Sequence, residues 1–184
     1  GRRIVVRRAR EGETLRTLDG VLRQLDPDML LICDAERPVA IAGVMGGEDS
    51  EVTPETTDIL LESASFHPVS IRRTAKRLGM RTEASHRFER GIDPHLAALA
   101  ADRAAKLIAE LAGGEVLQGR IDAAAELPRP RELTLRLQRV NGMLGTDLSP
   151  QEVEGILNRL GFETRREKDG PSLQVVVPTF RRDV

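Results

Sequence analysis

The chain has 184 residues, 40% apolar and 31% charged, with a formal net charge of -1. That balance belongs to a folded globular protein of one ordinary domain, or a moderate and a small one, and excludes a disordered tail. With almost no net charge, nucleic-acid binding cannot rest on overall attraction and needs a local basic patch.

Four Phe and no Trp or Tyr leave the core to Leu, Ile, Val and Ala. The single cysteine, Cys33, excludes an internal disulfide and any multi-cysteine zinc site. Its apolar run Met29-Leu30-Leu31-Ile32-Cys33 points to a buried thiol rather than a nucleophile. No apolar stretch approaches a membrane span and no signal-peptide pattern opens the chain, so a cytoplasmic protein without a membrane partner is expected.

In chain order, short apolar runs separated by turn signals come first: Ile4–Val6, Thr14–Leu18 before Asp19-Gly20, Met29–Cys33, and Val39–Met45. These read as strands in a mostly antiparallel arrangement. Asp58–Ala64 reads as another strand. Pro68–Leu78 switches to helical spacing, with Ile71, Ala75 and Leu78 on one face and Arg72, Arg73, Lys76 and Arg77 on the other. A long helix is predicted over Pro94–Ala112, capped by Asp93 and stopped by Gly113-Gly114. Its expected buried stripe runs from Leu96 through Leu99, Ala100, Ala104, Leu107 and Ile108 to Leu111.

Glu126–Arg131 has the proline-rich, polar composition of a linker. After it, Leu133, Leu135 and Leu137 alternate with polar residues as in a half-buried strand. Ser149-Pro150-Gln151-Glu152 is a capping box opening a helix that ends at Gly161. Phe162–Glu167 and Leu173–Val177, joined through Lys168-Asp169-Gly170-Pro171, read as a hairpin. The fold class is therefore α+β: a mixed or antiparallel-sheet domain with packed helices over residues 1–126, then a small α+β domain over 127–184. The start at Gly1 and the stop at Val184 without a closing element give the look of an excised piece.

Familiar catalytic constellations are missing. His67, His86 and His95 have no metal-ligand spacing, and no nucleophile elbow or phosphate-binding lysine loop occurs. Three segments carry possible chemistry. Gly43-Val44-Met45-Gly46-Gly47 fits a tight turn or a close approach of backbone to a ligand. Glu62 ends an apolar run where an unpaired carboxylate is costly, and fits an edge group in water or paired with a nearby arginine, or else a ligand reader. Arg72 to Arg90 holds seven cations against Glu83 and Glu89, which suits a solvated face or a phosphate backbone. Arg72, Arg73, Lys76, Arg87 and Arg90 are the RNA-contact candidates.

Together with Leu60-Leu61-Glu62-Ser63-Ala64 and the long string from Arg81 to Pro94 (RTEASHRFERGIDP), the glycine segment resembles, in order and spacing, the editing domain of bacterial phenylalanyl-tRNA synthetase β subunits. The remainder is similar to the small domain that follows it there, through Val140–Gly145, Leu157–Phe162 and Val177–Asp183. The resemblance covers essentially the whole chain.

It implies a B3/B4-type pocket that hydrolyses tyrosine mis-attached to tRNA(Phe), followed by a B5-type domain. Glu62 matches the glutamate that accepts the phenol hydrogen bond, while Gly46, Thr82 and Ala84 match small pocket-lining positions. No side-chain nucleophile is implied. Two departures stand: the family's pocket also uses a histidine upstream of the first strand here, and Asp183 matches only the first of several acids that hold a magnesium ion with the α subunit. The implied partners are tRNA(Phe) and that α subunit, in an α2β2 heterotetramer. Mg2+ and ATP serve the intact ligase, with ATP not bound by this stretch. Two alternatives remain: a non-catalytic scaffold for tRNA or subunit, and a freestanding deacylase acting in trans.

Overall fold

Short runs of alternating or fully apolar residues, cut by turns at Gly12, Gly20 and Asp34, build the first part of the molecule from strands of two to four residues. In chain order these are β1 (Val5–Arg8), β2 (Thr14–Arg16), β3 (Leu22–Gln24), β4 (Leu30–Cys33), β5 (Pro38–Ile41) and β6 (Met45–Gly46). The computed structural model describes residues 3–124, 127–166 and 172–184, which fall into two units, 1–119 and 120–184.

In the first unit β1, β4, β5 and β6 form one antiparallel sheet in that order, and β2 pairs with β3 as a separate hairpin. Strand β4 is the centre. Its Leu31, Ile32 and Cys33 are all buried, so the run is apolar without alternation. Leu31 and Cys33 pack with Leu25, Met29, Ile41, Val44 and Ile71, an aliphatic core as the composition requires. Burial pushes the Cys33 thiol above its ordinary pKa, which keeps it an inert core group.

Helix α1 (Pro68–Arg77) starts with Pro68 in its first turn and lays Ile71, Thr74 and Ala75 into that core. Arg77 at its C-terminal end reaches Asp26 at 3.1 Å and Asp28 at 2.6 Å. Helix α2 (Glu83–Phe88) opens with a reciprocal capping box between Thr82 and Ser85. A 3-10 turn at Pro94–Leu96, capped by Asp93 accepting from the His95 amide, leads into helix α3 (Ala97–Ala112), which Gly113 stops in the left-handed conformation.

Three expectations change. Val39–Met45 is not one strand but two, β5 and β6, folded back at Gly43, where φ is +66°. Asp58–Ala64 is extended but in no sheet; no described strand offers its backbone a partner, and Leu60 is 75% exposed. The stripe of α3 is also uncovered. None of its residues is buried, with Leu99 at 65% and Leu111 at 85% exposure, because no described element lies over that face.

In the second unit β7 (Arg131–Arg136) runs straight into α4 (Leu137–Leu144), a helix that alternating leucines had concealed. Helix α5 (Pro150–Arg159) follows the predicted capping box, with the Ser149 and Glu152 side chains each accepting the other residue's backbone N–H. Strands β8 (Glu163–Arg166) and β9 (Ser172–Val177) pair antiparallel, and β9 is central in the order β7-β9-β8. The predicted turn between them falls outside the described residues. Alternate residues Leu173, Val175 and Val177 are buried against Leu137, Val153 and Phe162. Both units are antiparallel sheet with packed helices, an α+β fold.

One ion pair ties β1 to the loop beyond it. Arg7 donates two hydrogen bonds to Glu13, at 2.6 and 2.9 Å, and Glu13 also accepts from the Arg10 amide at 2.8 Å. The Arg7 guanidinium is the chief cause that lowers the Glu13 carboxyl from its ordinary 4.5 to about 2. With the folded-state value below the unfolded one, this stabilisation is complete above pH 4.5 and disappears as pH falls toward 2. Glu13→Gln should therefore cost about 1.5–3 kcal/mol at pH 7, with the gap from the parent closing in thermal melts as pH drops through that window.

Candidate functional site

The turn between β5 and β6 brings glycine-rich backbone to the edge of a cavity of about 480 Å³, a volume suited to a small organic ligand. Its wall includes Gly43, Val44, Met45 and Gly46 from the turn, Glu62 to Ala64 from the extended segment, Ala84 and Phe88 from α2, and Ala97 and Ala100 from α3. Apart from Glu62 and Ser63 the named side chains are apolar or absent.

The two readings of the glycine segment divide among its residues. Gly43 serves the turn, and a Cβ there would sit 2.9 Å from both Ile71 Cδ1 and Phe66 Cδ2. Gly47 serves backbone approach, since a Cβ would lie 2.9 Å from the Val39 carbonyl oxygen, to which the Gly47 N–H donates at 2.7 Å. Gly46 is the one left bordering the cavity with modest room, its nearest neighbour being the flexible Leu18 side chain.

Glu62 stands on the segment that forms no strand, yet that segment is not loose. Ser63 Oγ donates to the Ala97 carbonyl at 2.7 Å and Ser65 Oγ to the Ile92 carbonyl at 3.1 Å. These two bonds hold the segment against the start of α3, with Glu62 at the cavity. Glu62 counts as exposed by residue area, but enough protein crowds its carboxyl for desolvation to raise its pKa above 4.5. Desolvation is the only cause, and no hydrogen bond or ion pair to Glu62 occurs among the described residues. A half-dry carboxyl with no partner is a group able to accept a donor from a ligand.

Thr82 differs from its expected place. It is not on the cavity wall; its Oγ1 donates to the Val44 carbonyl at 2.8 Å and accepts from the Ser85 amide at 3.0 Å. One hydroxyl thus caps α2 and pins the glycine turn to it. Gly46, Glu62 and Ala84 meet at the cavity, and Thr82 supports the backbone behind it.

The basic segment also divides. Arg72, Arg73 and Lys76 are exposed on α1 with no ion pair among the described residues, whereas Arg87 is paired with Glu83 at 2.8 Å and Arg90 binds the His86 carbonyl and approaches Glu89. Asp183, in the second unit, is held by Arg181 through two 2.8 Å hydrogen bonds, which lower its pKa to about 2. Arg181 in turn lies over the Phe162 ring at 5.2 Å. Among the described residues no three His, Cys, Asp or Glu side chains gather to hold a metal ion, and Asp183 alone does not fit one.

Sequence reading missed Ser63, Ser65, Phe66 and Phe88. The serines carry no pattern until their acceptors are known, and nothing in the sequence assigns the phenylalanines a place. No helix among the described residues is long and apolar enough to cross a membrane. For Thr82, replacement by the isosteric Val should destabilise the first unit by about 1–2 kcal/mol in denaturant melts while Thr82→Ser stays close to the parent.

Comparison with known proteins places both units. The B3/4 domain family model matches residues 1–113, and the tRNA synthetase B5 domain model matches residues 133–184. A phenylalanine--tRNA ligase beta subunit of Moorella thermoacetica is 58% identical over 184 residues, covering all of this chain and 22% of that protein. Proteins of the same name from Syntrophotalea carbinolica and Syntrophus aciditrophicus are 52% and 51% identical over 187 residues, 99% of this chain and 23% of theirs. The chain thus spans less than a quarter of the length of these relatives. By these matches, the chain belongs to the B3/4 domain family, with a tRNA synthetase B5 domain following.

Proposed function

We propose that this chain is part of a phenylalanine--tRNA ligase beta subunit, and that its first unit hydrolyses the ester joining tyrosine to tRNA(Phe). The observation that supports this is the partly desolvated carboxyl of Glu62, without a partner among the described residues, at a cavity otherwise bordered by Ser63, apolar side chains and glycine backbone.

The chemistry has a simple logic. An apolar synthetic pocket rejects a ligand that merely adds a hydroxyl by only about 10²-fold, so discrimination has to be completed elsewhere. A second pocket does so by demanding the hydroxyl. Tyrosine would give Glu62 the donor it lacks; phenylalanine would bury the carboxyl and leave it unsatisfied, at a cost of about 1–3 kcal/mol. Gly46 and Ala84, by their small size, leave room for the ring. The aminoacyl ester is already activated, so cleavage requires a placed water and stabilisation of the developing oxyanion rather than a protein nucleophile.

The whole enzyme's ligation of phenylalanine, with its ATP, Mg2+ and α subunit in an α2β2 assembly, belongs to the same proposal. Within this chain Asp183 is too well paired with Arg181 to serve a cation by itself. The exposed Arg72, Arg73 and Lys76 on α1 are the residues best placed to meet tRNA phosphates, since Arg87 and Arg90 already have partners. Those three cations, without an ion pair among the described residues, also favour a second reading, a scaffold that binds tRNA without chemistry.

Release of tyrosine from tyrosyl-tRNA(Phe) by the ligase containing this chain separates the readings. Glu62→Ala should slow it by about 10- to 150-fold, the range set by one lost hydrogen bond to a charged group. Unchanged release would remove Glu62 from the account. A parent enzyme that binds the tRNA and never releases tyrosine would assign the scaffold role.

A further inference from the structure

Only four aromatic carbocycles occur in this sequence, and two of them, Phe66 and Phe88, line the same cavity. Their ring centroids are 4.9 Å apart and tilted by 59°. Each is half-buried, so neither ring is wholly spent on the core it borders. Phe66 comes from the end of the segment that carries Glu62, and Phe88 from the last turn of α2, which carries Ala84. Ser65, held to the Ile92 carbonyl, and Gly43, whose missing Cβ leaves space for the Phe66 ring, fix where the first ring lies.

We infer that Phe66 and Phe88 form an aromatic wall that recognises the ring of the ligand's side chain, a specificity determinant separate from Glu62. This rests on the cavity being a tyrosyl site and deepens that reading. Glu62 reads the hydroxyl and says nothing about what bears it. A tilted pair of rings offers a third ring both a face and an edge, the arrangements that the aromatic quadrupole favours. Such a wall selects a flat aromatic ligand over a saturated ring carrying the same hydroxyl, which apolar burial alone would not do.

The test uses the full chain and three probes, each an adenosine joined through a stable amide to an amino acid: tyrosine, phenylalanine, and the ring-saturated analogue of tyrosine that keeps its hydroxyl. The parent should bind the tyrosyl probe about 2- to 12-fold more tightly than the saturated one. Phe88→Leu should lose that preference and keep the preference for tyrosyl over phenylalanyl; Glu62→Ala should do the reverse. Because Phe88→Leu also touches the core, a melt accompanies it, and proton NMR of the unaltered chain gives a second readout. Ring-to-ring nuclear Overhauser contacts between the tyrosyl probe and Phe66 or Phe88 are expected.

If tyrosyl is preferred over phenylalanyl but the saturated probe binds equally well, or no ring contact is seen, the aromatic wall is overturned and the Glu62 reading survives. If no probe binds saturably, the tyrosyl-site reading fails and the wall falls with it.

Discussion

A carboxyl that the protein itself does not satisfy is the constraint on which the rest of the first unit turns. Acidic side chains at the margin of an apolar hollow normally acquire a cation or a set of amide donors, as Glu13 does from Arg7 and Arg10. Glu62 acquires neither, and its pKa moves the opposite way, upward. Its cost is tolerable only because the group remains partly wet, and it is recovered only when something enters with a proton to donate. On the function proposed above, selectivity for a hydroxyl-bearing ligand would be a property of what the fold withholds.

Keeping that carboxyl in place requires support from three directions. Ser63 and Ser65 tie the extended segment to the backbone around the start of α3, in place of the ladder bonds of a strand. Thr82 joins α2 to the glycine turn through Val44, so that the backbone bordering the cavity moves with Ala84 and Phe88. Ile71 and Phe66 fill the space beneath Gly43 that any side chain there would take. Ser65, Thr82 and Ile71 need not touch a ligand to matter, because each fixes a neighbour that lines the wall.

What could be read from the sequence followed the strength of local signals. The helices at Pro68 and Pro150 were legible because proline in the first turn, with a capping box at Ser149, marks a start that few other structures share. Helix α2 was not, since six residues dominated by charge and polarity show no apolar periodicity, and β3 at three residues is shorter than any alternation test can resolve. The leucines at 133, 135 and 137 alternate through β7, but the last begins α4 instead, a boundary that alternation cannot mark. Residues 58–64 have strand-like composition, but a strand exists only with a neighbour, and pairing is not a local property. The site was legible chiefly through resemblance. That route pointed to Gly46, Glu62, Thr82 and Ala84 together; Gly46, Glu62 and Ala84 border one cavity, and the Thr82 hydroxyl bonds the Val44 carbonyl behind it. The phenylalanines and serines around them became visible only once contacts were known.

The account's centre is the state of one carboxyl, and NMR titration of the Glu62 side chain measures it directly. Without ligand its pKa should lie above 4.5, the ordinary value. A phenol donating to the carboxylate favours the ionised form, so saturating tyrosine should bring the value down, whereas phenylalanine should leave it high or raise it further. A value at or below 4.5 in the free chain, unmoved by tyrosine, would contradict the claim that this group waits for a hydroxyl.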